Sequence, residues 1–321
     1  MVPRLHSAIV DQNQWLERRC FGTTDKPIEL IADAKRERGL SVSVCIPALN
    51  VEATVASIVE AIGRDYVDRD QLVDELIVIN GPSTDQTAVR ARKAGAVVID
   101  ERDVLPEVGA FAGKGEALWK SLACSHGDVL LWLDSDVHDF DHRIVPAMLA
   151  PIIDDPEISF VKAHYQRTFG AAPTGGGRVT EICARPLLNT FFPELAVFAQ
   201  PLAGEVAARR TLVETLPFCS GYGVEMGMLI DVWQTAHLGA MAQVDLGSRR
   251  HDHQDLEALG EMAFAISQVV LDRAGLGPGL EARDRYIRAS GVGDGDVRLT
   301  VSPVSRTERP PMNTIPGYAV R

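Results

Sequence analysis

Between Val42 and Leu133, short apolar runs alternate with stretches of helical periodicity, and this alternation leaves few folds open. Val42–Ile46 is a β-branched run ending at Pro47, the pattern of a buried strand. Asn50 offers a helix N-cap, and Ala53–Ile62 carries apolar residues at helical spacing. Asp74–Ile79 is a second strand, closed by the turn Asn80-Gly81-Pro82, with a helix opening near Ser83-Thr84-Asp85. Ala96–Ile99 is a third strand, Glu116–Ala123 a helix after Gly113-Lys114-Gly115, and Asp128–Leu133 a fourth strand. Strands separated by helices imply an α/β chain with a parallel, doubly wound sheet. Ligands of such sheets bind outside the carboxyl ends of the strands. That rule gathers Pro47–Glu52, Asn80–Asp85, Lys114 and Asp134–Asp136 around one crevice.

The rest is less regular. Residues 1–40 read as a peripheral helical arm, and Ile158–Tyr165 as a strand continuing the sheet. Gly175-Gly176-Gly177 ends a loop before a helix that opens at Arg178 and is interrupted by Pro186 and Pro193. Gly204–Arg209 and Met241–Leu246 read as strands, Gly223–His237 and Asp252–Ala274 as helices. After Gly275 the glycine-, proline- and charge-rich composition reads as an irregular tail. The expected divisions are therefore 1–40, 41–136, 137–275 and 276–321.

A formal net charge of −12 disfavours generic binding to nucleic acid or anionic lipid. The five cysteines are scattered, with no C-x-x-C pair, which fits reduced thiols. The opening Met1-Val2-Pro3-Arg4 lacks signal-peptide character, and no apolar run approaches the ~20 residues of a membrane helix. The expected location is the cytoplasm.

Leu130-Leu131-Trp132-Leu133 runs directly into Asp134-Ser135-Asp136. Two carboxylates just past a buried strand must be solvated, paired or bound to a cation, and such oxygens suit Mg2+ or Mn2+. Asp is also common in post-strand turns, so the triplet alone leaves both readings open. Lys114 between two glycines at a helix start forms an anion site, or a solvent-exposed turn. Arg178 after three glycines repeats that logic, with a mere hinge as the alternative. His251 and His253 follow a strand end and are metal-ligand candidates or surface residues. Glu225, in the first turn of its helix, either complements the helix dipole or binds sugar hydroxyls.

The chain resembles the retaining glucosyl-3-phosphoglycerate and mannosyl-3-phosphoglycerate synthases, which are GT-A glycosyltransferases. The resemblance rests most specifically on Gly113-Lys114-Gly115-Glu116-Ala117-Leu118-Trp119 and Gly175-Gly176-Gly177-Arg178-Val179-Thr180-Glu181. Ile46-Pro47-Ala48-Leu49-Asn50, Asp134-Ser135-Asp136, Gly221-Tyr222-Gly223-Val224-Glu225 and Gln243-Val244-Asp245-Leu246-Gly247 support it. It implies a GT-A fold: a Rossmann-like, mainly parallel sheet flanked by helices, with a nucleotide-sugar half and a smaller acceptor-binding region. It also implies that Pro47, Ala48, Leu49, Glu52 and Gly81 line the nucleotide, and that Lys114, Asp134, Ser135 and Arg249 serve the donor. Asp136, with Asp134 and His251, would hold the Mg2+ or Mn2+. Glu225 and Asp136 would carry catalysis. Gly177, Arg178, Val179, Thr180 and His253 would hold a small anionic acceptor. A homodimer is expected.

Two departures from the family pattern matter. Where the family's second strand ends in Asp-Ser-Gly, this chain has Asn80-Gly81-Pro82, which weakens the case for UDP and makes GDP-sugars credible. After His251 it has Asp252-His253 where the family carries Arg-Asn. The alternative function is a natural-product enzyme of antibiotic biosynthesis that joins a GDP-octose to a thiol such as ergothioneine. A nucleotidyltransferase is a further alternative, opposed by the absence of glycine from Pro47–Glu52.

Overall fold

A computed structural model describes residues 4–23, 26–167, 176–249, 255–277, 284–293, 296–305 and 307–318. Helix α1 (Arg4–Arg19), strand β1 (Cys20–Phe21) and helix α2 (Ile28–Glu37) precede the alternating region. That region runs β2 (Val42–Ala48), α3 (Val55–Ile62), β3 (Glu75–Asn80), α4 (Thr87–Lys93), β4 (Val97–Asp100), α5 (Lys114–Cys124), β5 (Val129–Trp132). Then follow α6 (Ile144–Asp154), β6 (Phe160–Arg167), α7 (Arg185–Phe191), β7 (Val206–Arg209), α8 (Arg210–Val213), β8 (Phe218–Cys219), α9 (Val224–Ala236) and β9 (Met241–Arg249). The chain closes with α10 (Leu256–Arg273), β10 (Arg285–Gly293), β11 (Asp296–Pro303) and β12 (Glu308–Arg309).

Eight strands form one sheet in the order β1-β9-β6-β7-β5-β2-β3-β4. It is parallel except for β7, which runs antiparallel to both β5 and β6. The strand at Ile158–Tyr165 does extend the sheet, but β7 lies between it and the strand bearing the Asp triplet. Local periodicity reports a strand and not its neighbour, so this insertion is invisible to it.

Side-chain alternation explains why the sheet is covered on both faces. Val129, Leu131 and Leu133 join the core that contains Ile58 and Ile62 of α3 and Met148 of α6. Leu130 and Trp132 turn the other way, into a core with Trp119 of α5, Leu188 of α7 and Ile266 of α10. Each fully buried large apolar side chain contributes about 1.5–3 kcal/mol.

Both chain ends differ from the sequence expectation. The described part of the arm packs onto the sheet: Trp15 is buried, its Nε1 donates to the carbonyls of Leu238 (2.8 Å) and Met241 (3.1 Å), and Cys20–Phe21 adds a parallel edge strand to β9. Among the described residues after Gly275, three strands stand in place of the expected irregular tail. β10 and β11 pair as an antiparallel hairpin with Ile287 opposite Val301, and β12 pairs with β8. In the hairpin Ile287, Val297, Leu299 and Val301 face solvent while Tyr286 packs on Phe264 of α10 (ring centroids 5.6 Å apart), so the usual apolar-inward alternation is absent there. All five cysteines are free, and only Cys45 is fully buried.

Candidate active site

β5 lies between β2 and β7 at the middle of the sheet, so the residues that follow it emerge at the centre of the carboxyl-end crevice. Ser135 turns inward there. Its hydroxyl donates to the Pro47 carbonyl (2.6 Å), and the Thr54 hydroxyl donates to the Ser135 carbonyl (2.5 Å). The triplet is thereby tied to the end of β2 and the start of α3, while Asp134 and Asp136 line a cavity of about 620 Å³.

Lys114 opens α5 and reaches into the same cavity. Its Nζ lies 2.5 Å from Asp134 Oδ1 and 3.0 Å from Glu225 Oε1. Burial opposes the ammonium charge, but the two carboxylates outweigh it and hold Lys114 well above the ordinary lysine range. Two glycines make this approach possible. A Cβ on Gly115 would fall 1.8 Å from the Cys219 carbonyl oxygen, so only glycine lets α5 abut the segment leading into α9. A Cβ on Gly204 would fall 2.3 Å from both Asp134 Oδ2 and Lys114 Nζ.

The other wall residues come from distant segments. Gly177, Arg178, Val179 and Thr180 line the cavity, as do Leu49 and Glu225. Ala48, Glu52, Gly81 and Ser135 are not among its lining residues. Glu52 instead accepts from the Gln86 amide (2.9 Å), Gly81 donates to the Ala48 carbonyl (2.9 Å), and Asn50 accepts from the Thr84 amide (2.8 Å). These bonds stitch the ends of β2 and β3 into one ledge. Asn80 is buried on that ledge, and its Oδ1 has no hydrogen-bond partner among the described residues. His251 and His253 lie outside the described residues, as does the side chain of Arg249.

Several wall residues carried no local signal. Leu202, Met262, Val304 and Ser305 line the cavity from three separate segments. Lys162 is buried in β6 and donates to the Ala203 carbonyl (2.8 Å), anchoring the turn that places Gly204. Burial pulls Lys162 down to about 8, although Glu225, Glu205 and Asp134 act in the opposite direction. A lysine inside the apolar run Phe160-Val161-Lys162-Ala163 was the only hint of it.

A cation flanked by two carboxylates, a further aspartate and an arginine-bearing wall suit a ligand with several anionic groups. Comparisons with known proteins agree. The profile of Glycosyl transferase family 2 matches residues 43–192. The glucosyl-3-phosphoglycerate synthase of Petrotoga mobilis is 40% identical over 311 residues, spanning 94% of this chain and 95% of that protein. The Mycobacterium tuberculosis enzyme of the same name is 43% identical over 284 residues, 86% of either chain. The chain belongs to the glucosyl-3-phosphoglycerate and mannosyl-3-phosphoglycerate synthase family of GT-A glycosyltransferases. Within this family, the crystal structure of the Rubrobacter xylanophilus mannosyl-3-phosphoglycerate synthase superposes with a TM-score of 0.87 at 38% identity, covering 94% of this chain and 99% of that one. The M. tuberculosis glucosyl-3-phosphoglycerate synthase in complex with Mn2+, UDP and phosphoglyceric acid gives a TM-score of 0.81 at 40% identity, covering 91% and 98%. The mixed sheet described above is thus the family's GT-A sheet.

Proposed function

We propose that this chain is a metal-dependent retaining hexosyltransferase that moves a sugar from a nucleoside-diphosphate sugar, UDP-glucose or a GDP-sugar, to a small anionic acceptor such as 3-phosphoglycerate. One observation carries the reading: the Lys114–Asp134–Glu225 cluster, Asp136 and the Gly177–Thr180 segment line the same cavity.

Asp134 and Asp136 present carboxylate oxygens at a strand end, a donor set that fits a hard divalent cation. The described residues contain no cluster of three candidate ligands, and His251 is the proposed third. Bound Mg2+ or Mn2+ would supply countercharge to the diphosphate as it departs. Lys114 adds a fixed positive charge beside Asp134. Glu225, held by Lys114, accepts from sugar hydroxyls and orients the ring. Arg178 pairs with the acceptor's anionic group, and Thr180 adds a hydroxyl beside it. In the transfer, the bond from the anomeric carbon to the diphosphate oxygen breaks while a bond to the acceptor oxygen forms on the same face. The acceptor proton passes to the leaving phosphate oxygen. This front-face course preserves the anomeric configuration and uses no side-chain nucleophile.

Asn80 stands where the family pattern carries an aspartate at the end of the second strand, so the base meets different hydrogen-bonding groups here. A neutral amide presents both a donor and an acceptor, whereas a carboxylate only accepts. The orphan Asn80 Oδ1 supports a direct role for it in reading the base.

Thermal-shift titration with UDP-glucose, GDP-glucose and GDP-mannose, with and without Mg2+, tests the reading. One of these donors should stabilise the protein only with the cation, and Asp136→Ala should abolish the shift. The reading fails if none shifts the melting temperature and Asp136→Ala turns over like the parent. A parallel acceptor assay with 3-phosphoglycerate and with thiols such as ergothioneine separates O-transfer from S-transfer.

Among the described residues, no helix is long and apolar enough to cross a membrane. The free cysteines support a cytoplasmic location. The outward apolar face of the β10–β11 hairpin supports a homodimer.

A further inference from the structure

The segment 303–312 contributes more than a wall. Arg309, only 4% exposed, grips the fully buried Glu116 with both arms of its fork: Nε donates to Oε2 (2.8 Å) and Nη2 to Oε1 (2.7 Å). The same guanidinium donates to the carbonyls of Val108 (2.9 Å) and Gly109 (3.0 Å). It lies over the rings of Phe111 (3.9 Å) and Trp119 (4.9 Å). Every one of these partners belongs to α5 or to the loop leading into it. Glu116 is the third residue of α5, and Lys114 is the first.

The backbone around Arg309 reaches the other side of the site. β12 pairs with β8, the Ser220 amide donates to the Thr307 carbonyl (2.9 Å), and the Ser220 and Ser305 hydroxyls share a hydrogen bond (2.8 Å). Ser220 also accepts from the Gly115 amide (3.1 Å). From β8 the chain passes through Tyr222 into α9, where Glu225 meets Lys114. The two elements that hold Lys114 and Glu225 3.0 Å apart thus meet directly at Gly115 and Ser220, and a short C-terminal segment braces both.

A buried ion pair is an inefficient way to stabilise a fold, since apolar residues of similar volume often do as well. What a bidentate arginine–carboxylate pair supplies is a fixed relative orientation. We propose that Arg309 is a positioning residue for sugar transfer: through Glu116 and the carbonyls of Val108 and Gly109 it sets the first turn of α5, and with it the placement of Lys114 against Asp134 and Glu225. The inference rests on the reading of Lys114 as a donor-site residue.

The test compares Arg309→Lys, Arg309→Met with Glu116→Gln in one chain, and Lys114→Met as reference. Melting temperature, kcat, the KM of donor and acceptor, and calorimetric UDP binding with Mg2+ are measured for each. The double variant removes both partners of the fork but leaves the buried Lys120 ammonium without the Glu116 carboxylate 3.4 Å away, so its melting temperature should fall and its kinetics are read at a temperature where it is fully folded. Its kcat/KM for the donor should there fall at least tenfold, and UDP affinity with it, while the acceptor KM moves less than threefold. Arg309→Lys keeps the charge but loses the fork, and should show a smaller loss in the same parameters with an unchanged melting temperature. That variant carries the test alone if the double variant does not fold. Parental kinetics in either variant, or losses that simply track melting temperature, would overturn the inference. Parental kinetics in Lys114→Met would instead sink the donor-site reading, and this inference with it.

Discussion

Lys114 Nζ lies 2.5 Å from Asp134 Oδ1, and the same ammonium is 3.0 Å from Glu225 Oε1. One cation therefore holds together two carboxylates carried by different elements, the β5 end and α9. Removing it leaves two neighbouring negative charges at the place where a diphosphate must bind. Lys114→Met should lower kcat/KM by roughly 100-fold, about 2.7 kcal/mol of transition-state stabilisation. Steady-state kinetics at saturating acceptor measure this, and a loss below fivefold would contradict the assignment.

Gly204 touches that pair from the other side. A methyl group there would meet Asp134 Oδ2 and Lys114 Nζ at 2.3 Å, far inside contact distance. The lysine tip is flexible, but it is engaged by both carboxylates, so the pair must separate or the turn must shift. Gly204→Ala should fold, melt lower by a few degrees, and lose about tenfold or more in kcat/KM. Unchanged kinetics would show that the pair tolerates rearrangement.

These two residues illustrate what sequence reading reached. Asp134, Asp136 and Lys114 stood out because each sits where a strand ends or a helix begins, and backbone chemistry at such places is local. Gly204 did not stand out, because its constraint comes from side chains that approach only after the sheet has formed. Arg309 and Glu116 are 193 residues apart in sequence, with no pattern linking them. The β5-β7-β6 order was hidden for the same reason, since strand periodicity names faces and not neighbours. The hairpin was missed because its apolar pairs point to solvent, against the rule by which strands are recognised.

Stability should depend on pH through Glu101. It is buried beside Glu116 and Lys120 of α5, and burial, then the Glu116 charge, pushes its carboxyl up to about 7. Folded protein thus holds a proton on Glu101 that the unfolded chain releases near the ordinary value of 4.5. Where the folded state binds more protons, stability falls as pH rises, here across about pH 4.5 to 7. Lys120, Asp100 and Arg102 also act on this group and set the residual slope. Glu101→Gln should melt higher than the parent at pH 8, with the difference closing at pH 5. Scanning calorimetry at both values decides it, and equal gaps at the two pH values would remove Glu101 as the cause.

The hairpin face makes the last prediction. Ile287, Val297, Leu299 and Val301 are 63%, 66%, 65% and 52% exposed, and the register sets Ile287 opposite Val301 and Ala289 opposite Leu299. Cross-strand apolar pairs stacked on one side of a ribbon form a continuous strip rather than scattered residues. The reverse side is already occupied: Tyr286 packs on Phe264, and Arg288 pairs with Glu257 of α10. A strip of this kind is self-complementary, as the single repeated patch of a twofold homodimer must be. Leu299→Glu with Val301→Lys should shift the mass measured by light scattering from twice the chain towards a single chain. Because β11 ends at Pro303, which lines the cavity, the same variant should also lower kcat. A parent that already scatters as a single chain, or a variant whose mass stays at twice the chain, would contradict a homodimer contact at this face.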